Sequence, residues 1–529
     1  MPIIIRLLVI AVIFHINLNL TSQTWERFFG SPYSKETGQD AIECYDKGYL
    51  IGTGINEANY SWIIKTDING ELLWDKKFTW TNKSVGLGRV DQNSQGEMVL
   101  CGYIYPGGVV QWPLVMKLDQ CGNNLWCRTF INEDYLLGSF LDVKLLANGD
   151  VIALANLESN EEVDKIFLYY IDGNGNLLWV KSYASKNDHP FVMERLGDRL
   201  YNYNNEYQIS GWCYYPHPSN PGTGYLRPFF IGIDSLFEEK WILPFGIDEW
   251  ILGKSYSMGT LNDSTYIGVG FMYADGGPNS IYMFISDEGE ELGYLQIENE
   301  QIGPDITSNQ AVDINRINDS LLISSNLFIS EFLDDPFGEI VFDATGNIYN
   351  LEYRPGTWGS TQMLKTFNNK YIITCGYEYP NSDKDIYLYK INDSLQWDSV
   401  YTGDYTYDSL CPLTIQSDTI DLTNCLVFTD VAEIPTAEEF HTSLNSILIN
   451  VYPNPSNEGV IHLTYQNTDQ HDNLELRCYN LFGQEVYWER LYQQQRESII
   501  NEADWGKGMY LAVVYKNGTP VGRVKFVLR

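Results

Sequence analysis

Apolar and polar residues alternate along most of the chain in short runs, and turns rich in Gly, Asn and Asp separate these runs. Such alternation is typical of β-strands with one buried face, and Gly or Asn permits the positive φ of a tight hairpin. One unit recurs, in which an Asp is followed by Gly three positions later and by Trp after four more. The clearest copies are Asp67, Gly70 and Trp74; Asp119, Gly122 and Trp126; and Asp172, Gly175 and Trp179.

The units repeat about every 50 residues, the length of a four-stranded propeller blade. Four weaker copies follow the three clear ones. One such sheet cannot bury both faces alone, so the sheets must pack around an axis. We therefore predict an all-β fold in which residues 23–403 form a seven-bladed, or eight-bladed, β-propeller. The segment Trp25–Gly30 looks like an isolated outer strand that closes the ring, although Trp397–Tyr401 competes for that place.

The repeat resembles the propeller repeats of many secreted bacterial proteins, whose outer strands read Trp-x-Lys-x-Phe/Tyr-Gly. It is also similar to pyrroloquinoline-quinone-type blades, in which an Asp, a Gly-containing turn and a Trp lock neighbouring blades. The turn from Asp to Gly is one residue shorter here. These resemblances imply a fold and no particular activity.

The pattern changes near residue 447, where short strands and Gly turns predict a small Ig-like β-sandwich over 447–529. The tail contains Tyr452, Pro453, Asn454, Pro455, Gly483, Gly508, Tyr510 and Lys525. On these residues it resembles the type A C-terminal sorting domain of type IX secretion cargo. The resemblance implies export by the type IX machinery, removal of the tail, and a location outside a Gram-negative cell, either secreted or on the outer surface. An ordinary Ig-like binding module is the alternative.

The N-terminus predicts a secretory signal peptide at residues 1–22, because Arg6 precedes the apolar run Leu7–Phe14. No later apolar run is long enough to span a bilayer, so we expect no transmembrane helix in the mature protein. A polar, acidic stretch at 404–446 predicts a linker between the propeller and the tail.

The formal net charge of −35 makes nucleic acid a poor partner, because like charges repel. Nine Cys residues suit an oxidising compartment, and their spacing matches no zinc site. We expect Cys121 to pair with Cys127 across a hairpin and Cys411 to pair with Cys425 around a small loop. The odd total leaves at least one thiol unpaired. We expect no metal and no cofactor.

Catalytic signals are weak in this sequence. His189 and His217 have no partner at metal spacing, and no nucleophile motif is present. The Asp-x-Asn-Gly segments resemble calcium loops but are more typical of hairpin turns. We therefore expect a binding protein rather than an enzyme.

Aromatic residues follow the second strand of four units. In a propeller these connections open on one face, where aromatic side chains can bind sugars or a protein. Packing between blades is the alternative explanation for them. The predicted ligand-binding residues are Tyr103, Tyr105, Trp212, Tyr214, Tyr215, Phe271, Tyr273, Tyr377 and Tyr379.

Two functions remain open at this point. The first is a secreted or surface-displayed propeller that binds an extracellular glycan or protein. The second is a secreted hydrolase that cuts polysaccharide with paired carboxylates in the central channel.

Overall fold

The structure is a computed structural model of the full chain. Its architecture is all β, as the alternation of residues predicts. The residues that it describes are 24–30, 35–56, 60–107, 110–131, 137–158, 165–183, 194–203, 205–217, 220–247, 251–274, 277–330, 337–354, 357–379, 384–428, 449–452, 456, 460–465, 474–480, 485–491, 497–501, 505, 508–516 and 519–528.

Within these residues, the strands up to residue 391 form antiparallel groups of four, which we number as sheets 1 to 7. Sheet 1 contains β2 (Lys35–Glu43), β3 (Tyr49–Asn56), β4 (Tyr60–Thr66) and β5 (Leu72–Thr79). Sheet 2 contains β6 (Ser84–Gln92), β7 (Met98–Gly107), β8 (Val110–Leu118) and β9 (Asn124–Phe130). Sheet 3 contains β10 (Leu137–Leu145), β11 (Val151–Glu158), β12 (Lys165–Ile171) and β13 (Leu177–Tyr183). Sheet 4 contains β14 (Glu194–Tyr203), β15 (Glu206–His217), β16 (Asn220–Ile233) and β17 (Glu239–Pro244).

Sheet 5 contains β18 (Gly253–Asn262), β19 (Thr265–Ala274), β20 (Gly277–Ser286) and β21 (Glu291–Ile297). The short helix α1 (Asn299–Ile302) follows it. Sheet 6 contains β22 (Ile306–Arg316), β23 (Leu321–Ser330), β24 (Phe337–Asp343) and β25 (Ile348–Arg354). Sheet 7 contains β26 (Thr357–Lys365), β27 (Tyr371–Glu378), β28 (Lys384–Ile391) and β1 (Glu26–Phe29).

The first strands of the sheets contact one another in chain order, and β26 of sheet 7 contacts β2 of sheet 1. The contacts therefore run round in a cycle, as the packing of small sheets about an axis requires. Apolar clusters fill the spaces between neighbouring sheets, for example between sheets 1 and 2 and between sheets 5 and 6. The arrangement supports seven blades rather than eight, and the blade number stays a prediction.

The N-terminal strand β1 completes sheet 7 by pairing antiparallel with β28. The competing segment Trp397–Tyr401 forms no ladder but only two isolated β-bridges. Trp397 bridges to Ile391, and Ser399 bridges to Thr24. The outer strand of sheet 7 is therefore β1 and not the segment Trp397–Tyr401, because β1 occupies the hydrogen-bonding edge of β28.

The recurring Asp-x-x-Gly spacing forms the hairpin between the third and fourth strands of a sheet. In sheet 3, Asp172 Oδ1 accepts hydrogen bonds from the backbone N–H groups of Asn174 and Asn176, and Gly175 has φ of 83°. The Trp of the preceding sheet packs on this turn, since Trp126 Nε1 donates to Gly173 O at 3.0 Å. Trp25 and Trp241 donate in the same way to the turns of sheets 1 and 5.

Gly175→Ala is expected to lower the free energy of unfolding by about 2 kcal/mol, because a Cβ strains the left-handed backbone and meets the Trp126 ring at 2.8 Å. Gly173→Ala, in the same turn, is the matched control, since its nearest contact would be 3.4 Å away. Urea unfolding measures both. Equal stability of the two variants would contradict this account of the turn.

The segment 401–428, which we call the strap, lies along the outer edges of sheets 1 and 2. It adds the parallel strands β29 (Asp418–Asp421), beside β5, and β30 (Leu426–Phe428), beside β9. The described part of the predicted linker, residues 404–428, thus packs against the ring instead of running free. Residues 429–446 lie outside the described residues.

Two disulfides hold the strap, Cys121–Cys411 and Cys127–Cys425. The expected pairs Cys121–Cys127 and Cys411–Cys425 do not form. Cys121 lies in the turn after β8 whereas Cys127 lies opposite Met116 in the β8–β9 ladder, so the two are not cross-strand neighbours. The remaining thiols are all buried: Cys44, Cys101, Cys213, Cys375 and Cys478.

The tail is a two-sheet sandwich, as predicted. One sheet contains β31 (Ile449–Tyr452), β32 (Val460–Tyr465) and β35 (Glu497–Asn501). The other contains β33 (Leu474–Asn480), β34 (Glu485–Leu491), β36 (Gly508–Lys516) and β37 (Thr519–Leu528). Its core includes Ile461, Leu476, Tyr510 and Phe526.

Candidate functional site

Pairs of aromatic rings lie at the C-terminal ends of the second strands of four sheets. In each pair the two residues are two positions apart on the strand and meet edge to face, with ring centroids 5.1 to 5.6 Å apart. Edge-to-face contact at this distance is a favourable aromatic geometry. The pairs are Tyr103–Tyr105, Trp212–Tyr214, Phe271–Tyr273 and Tyr377–Tyr379.

A Gly before each pair explains how the strand can place it. Gly102 and Gly270 lie so close to the first strand that a Cβ would stand 1.9 Å from Gly86 O and 1.8 Å from Lys254 O, respectively. Only Gly fits such an approach. The first aromatic residue of the pair therefore lies directly after the point where the second strand is closest to the first.

The pairs open on one face of the ring. Each sheet repeats the same antiparallel order and meets its neighbour through its first strand, so all second strands run in one direction. Within two pairs the inner ring packs and the outer ring is exposed. Tyr105 is 40% exposed, and Tyr273 is 53% exposed beside Phe271 at 5%. Trp212, Tyr214, Tyr215, Tyr377 and Tyr379 are partly buried.

Lysines stand over indole rings on the same face. Lys254 Nζ lies 4.1 Å from the Trp212 ring centroid, and Lys83 Nζ lies 4.1 Å from that of Trp80. Lys77 Nζ lies 5.1 Å from the Trp62 ring. These cation–π contacts hold polar donors beside the aromatic surface. The sequence pattern did not identify these lysines. Lys254 and Lys77 each meet a Trp on another strand, whereas Lys83 lies three positions after Trp80 in one turn.

Acidic side chains near the axis join neighbouring first strands. The side chain of one first strand accepts a hydrogen bond from a backbone N–H of the next first strand, which ties the sheets together. These bonds run from Val90 to Asp40 (3.0 Å), Leu145 to Asp91 (2.7 Å), Leu200 to Asp142 (2.8 Å) and Met363 to Asp313 (2.9 Å).

Two arginines balance these acids. Arg199 Nη1 lies 3.4 Å from Asp40 Oδ1 across the ring, and Arg89 donates to Gln39 O and Leu141 O. Burial alone would lower the pKa of Arg199, but Asp40 and Asp142 raise it above its usual value. Most axial carboxylates therefore serve the packing of the sheets.

Asp198 differs from the other axial acids in its hydrogen bonding and not in its pKa, since burial also raises the pKa of Asp91 to about 6. Burial raises the pKa of the Asp198 carboxyl, and the charges of Arg89, Lys254 and Arg199 offset only part of this rise. The resulting pKa is about 6. Its side chain is partly buried, and no residue within the described ranges donates a hydrogen bond to it. Nothing in the spacing of the sequence separates Asp198 from the many other Asp residues, so only the fold identifies it.

The tail places its described motif residues at different depths. Tyr510 is buried between Trp505 and Phe526, whereas Tyr452 is exposed, stacks on His462 and donates to Glu497 at 2.7 Å. Gly508 begins β36, and Lys525 lies in β37 opposite Leu511. Pro453, Asn454, Pro455 and Gly483 lie outside the described residues, as do the predicted signal peptide and His189.

Within the described ranges, no group of three or more His, Cys, Asp or Glu side chains lies close enough to hold a metal ion. In the same part of the chain, no helix has the length and apolar character needed to cross a membrane.

Residues 450–529 match the family described as secretion system C-terminal sorting domain. No curated protein matches the chain. Among solved structures, a protein of unknown function from Bacteroides caccae is 9% identical, with 58% of this chain and 94% of that one covered and a TM-score of 0.33. An apocarotenoid oxygenase from Synechocystis is 10% identical, with 60% and 71% covered and a TM-score of 0.36. Likenesses this weak support no statement about function.

Proposed function

We propose that this protein, which its sorting tail marks as a type IX cargo of Bacteroidetes that is secreted or displayed on the cell surface, binds extracellular glycans through the aromatic face of its N-terminal β-domain. The repeated edge-to-face pair at the same position of four sheets carries this proposal. A rigid exposed ring is a platform on which the C–H face of a sugar stacks.

A glycan suits this face better than a protein partner does. The aromatic pairs lie on sheets 2, 4, 5 and 7 as separate platforms, whereas a protein interface needs a contiguous core with a polar rim. Separate platforms match a chain of sugar residues, each of which uses one ring. The fold holds these platforms rigid, so little freedom is lost on binding.

Hydrolysis of polysaccharide by paired carboxylates has less support. Such catalysis needs two carboxyl groups facing one substrate. Asp40, Asp142 and Asp313 each accept a backbone hydrogen bond from the next sheet. Removing any of them from this role would cost packing between sheets.

The double variant Tyr105→Ala/Tyr273→Ala is expected to weaken glycan binding at least tenfold, because each substitution removes an exposed stacking platform. Fluorescent cellohexaose, xylohexaose, mannohexaose, chitohexaose and hexagalacturonate serve as probes, and fluorescence anisotropy gives the Kd. Thermal unfolding should change little, since exposed side chains contribute little to stability.

Tyr349→Ala is the matched control, because Tyr349 is 63% exposed on the outer strand β25 of sheet 6, which carries no aromatic pair. It should bind like the wild type. If the double variant keeps wild-type affinity for every probe that the wild type binds, the aromatic face is not the binding surface.

A further inference from the structure

The first strands of six sheets each carry a β-bulge at the same place near the axis. The bulged residues of neighbouring sheets approach each other, since a Cβ on Gly88 would stand 1.8 Å from Gln39 Oε1. A bulge turns its extra residue out of the ladder, so these side chains lie towards the axis. The bulged residues are Gln39, Gly88, Leu141, Asp198, Tyr256 and Val312.

Asp198 is the one charged residue in this set. The acids one position after a bulge, such as Asp40 and Asp142, accept backbone hydrogen bonds from the next sheet. No described residue gives Asp198 such a bond, and its side chain keeps partial contact with solvent. A carboxylate held near cations without a hydrogen-bond donor has free acceptor capacity.

The neighbours of Asp198 connect the axis to the aromatic face. Lys254, whose charge acts on Asp198, stands 4.1 Å above the Trp212 ring. Tyr256, which also feels the charge of Asp198, packs on Phe271 at 5.8 Å, and Phe271 meets the exposed Tyr273 at 5.2 Å. The strand register places these groups together, because Leu196, two positions before Asp198, pairs with Trp212, and Lys254 pairs with Phe271. The acceptor, the donor and the aromatic surface therefore lie on adjoining parts of sheets 4 and 5.

We infer that Asp198, Lys254 and Tyr273 bind one neutral sugar residue of the glycan. This rests on the proposed function and specifies the class of glycan. The carboxylate accepts hydrogen bonds from adjacent sugar hydroxyl groups, the ammonium group donates one, and Tyr273 stacks on the sugar ring. Uronic acids and sulfated sugars are excluded, because the carboxylate of Asp198 and the net charge of −35 repel their negative groups.

The test compares Asp198→Asn with Asp263→Asn in the full-length protein, using the same five fluorescent hexasaccharides. Asp263 is exposed in the turn after β18 of sheet 5. Its substitution removes the same charge as Asp198→Asn, but at a position away from the proposed sugar site. We expect Asp198→Asn to raise the Kd for the neutral hexasaccharides at least tenfold, and Asp263→Asn to leave it unchanged.

Stability provides the second measurement. Burial raises the pKa of Asp198 to about 6, above the ordinary 3.8, so at pH 7.5 the folded state holds this charge at a cost. Asp198→Asn should therefore unfold at the same or a higher temperature while it loses binding. This combination separates loss of a ligand contact from loss of folding.

Each outcome decides a different point. Wild-type affinity of Asp198→Asn, with binding lost in Tyr105→Ala/Tyr273→Ala, overturns the sugar subsite and keeps the proposed function. Binding of hexagalacturonate alone overturns the neutral class. Binding of none of the five probes by the wild type contradicts both proposals.

Discussion

The variant Cys411→Ser/Cys425→Ser is expected to unfold about 10 °C below the wild type, because it frees the strap from sheets 1 and 2. The disulfide Cys121–Cys411 closes a loop with a sequence separation of 290. In the chain-entropy account a loop of this size contributes about 6 kcal/mol. The second bond then closes a loop of roughly 20 residues and contributes about 3 kcal/mol.

The strap also contacts sheets 1 and 2 without the disulfides, first through the pairing of β29 with β5 and of β30 with β9. Lys76 pairs with Asp418, Trp74 Nε1 donates to Asp408, and buried Leu422 packs in the space between sheets 1 and 2. Without the disulfides these contacts must offset the full conformational entropy of the strap.

Reductant supplies the control for this prediction. It should lower the unfolding temperature of the wild type towards that of the variant. It should leave the variant unchanged, because Cys121 and Cys127 have lost their partners there and the other five cysteines are already thiols. Circular dichroism during heating measures both. A wild type that is insensitive to reductant would contradict the pairing of the strap with the ring.

Trp25→Ala is expected to lower the free energy of unfolding by about 3 to 5 kcal/mol, the usual cost of truncating a buried Trp. Trp25 is fully buried, donates through Nε1 to Ile68 O at 3.0 Å and packs edge to face on Tyr49. It precedes β1, which closes sheet 7, and contacts sheet 1. Its loss therefore weakens the junction between the first and last sheets.

Trp397→Ala is the control, since Trp397 is the competing candidate for the same place. Trp397 is only partly buried, under Arg354 at 4.5 Å, so we expect a loss of about 1 kcal/mol. Guanidinium unfolding of both variants measures the difference. A larger loss for Trp397→Ala than for Trp25→Ala would contradict closure by β1.

Much of the ring follows from local spacing. The Asp-x-x-Gly turn forms because one Asp oxygen accepts two backbone N–H groups within five residues, and the Gly adopts positive φ. Trp126, four positions after Gly122, lies in the outer strand of sheet 2 and reaches the turn of sheet 3. The aromatic pairs also follow from strand periodicity, since residues two apart share one face.

Other features escape such an analysis for a physical reason. The sequence predicts a bond between Cys121 and Cys127 because the two are near in sequence, but bond formation depends on how Cβ atoms approach in space. Cys411 and Cys121 are 290 residues apart in sequence, and only the tertiary fold brings them together. Lys254 over Trp212 is likewise a contact between two sheets, which no spacing along one strand predicts.

The sequence by itself determined the all-β class, the hairpin turns, the aromatic positions and the sorting tail, because alternation, turn chemistry and short motifs act over a few residues. Only the tertiary structure decided the closure of sheet 7 by β1, the partners of the four disulfide cysteines and the distinct state of Asp198. These depend on which distant segments meet at the axis and at the sheet edges, and on what remains there to donate a hydrogen bond.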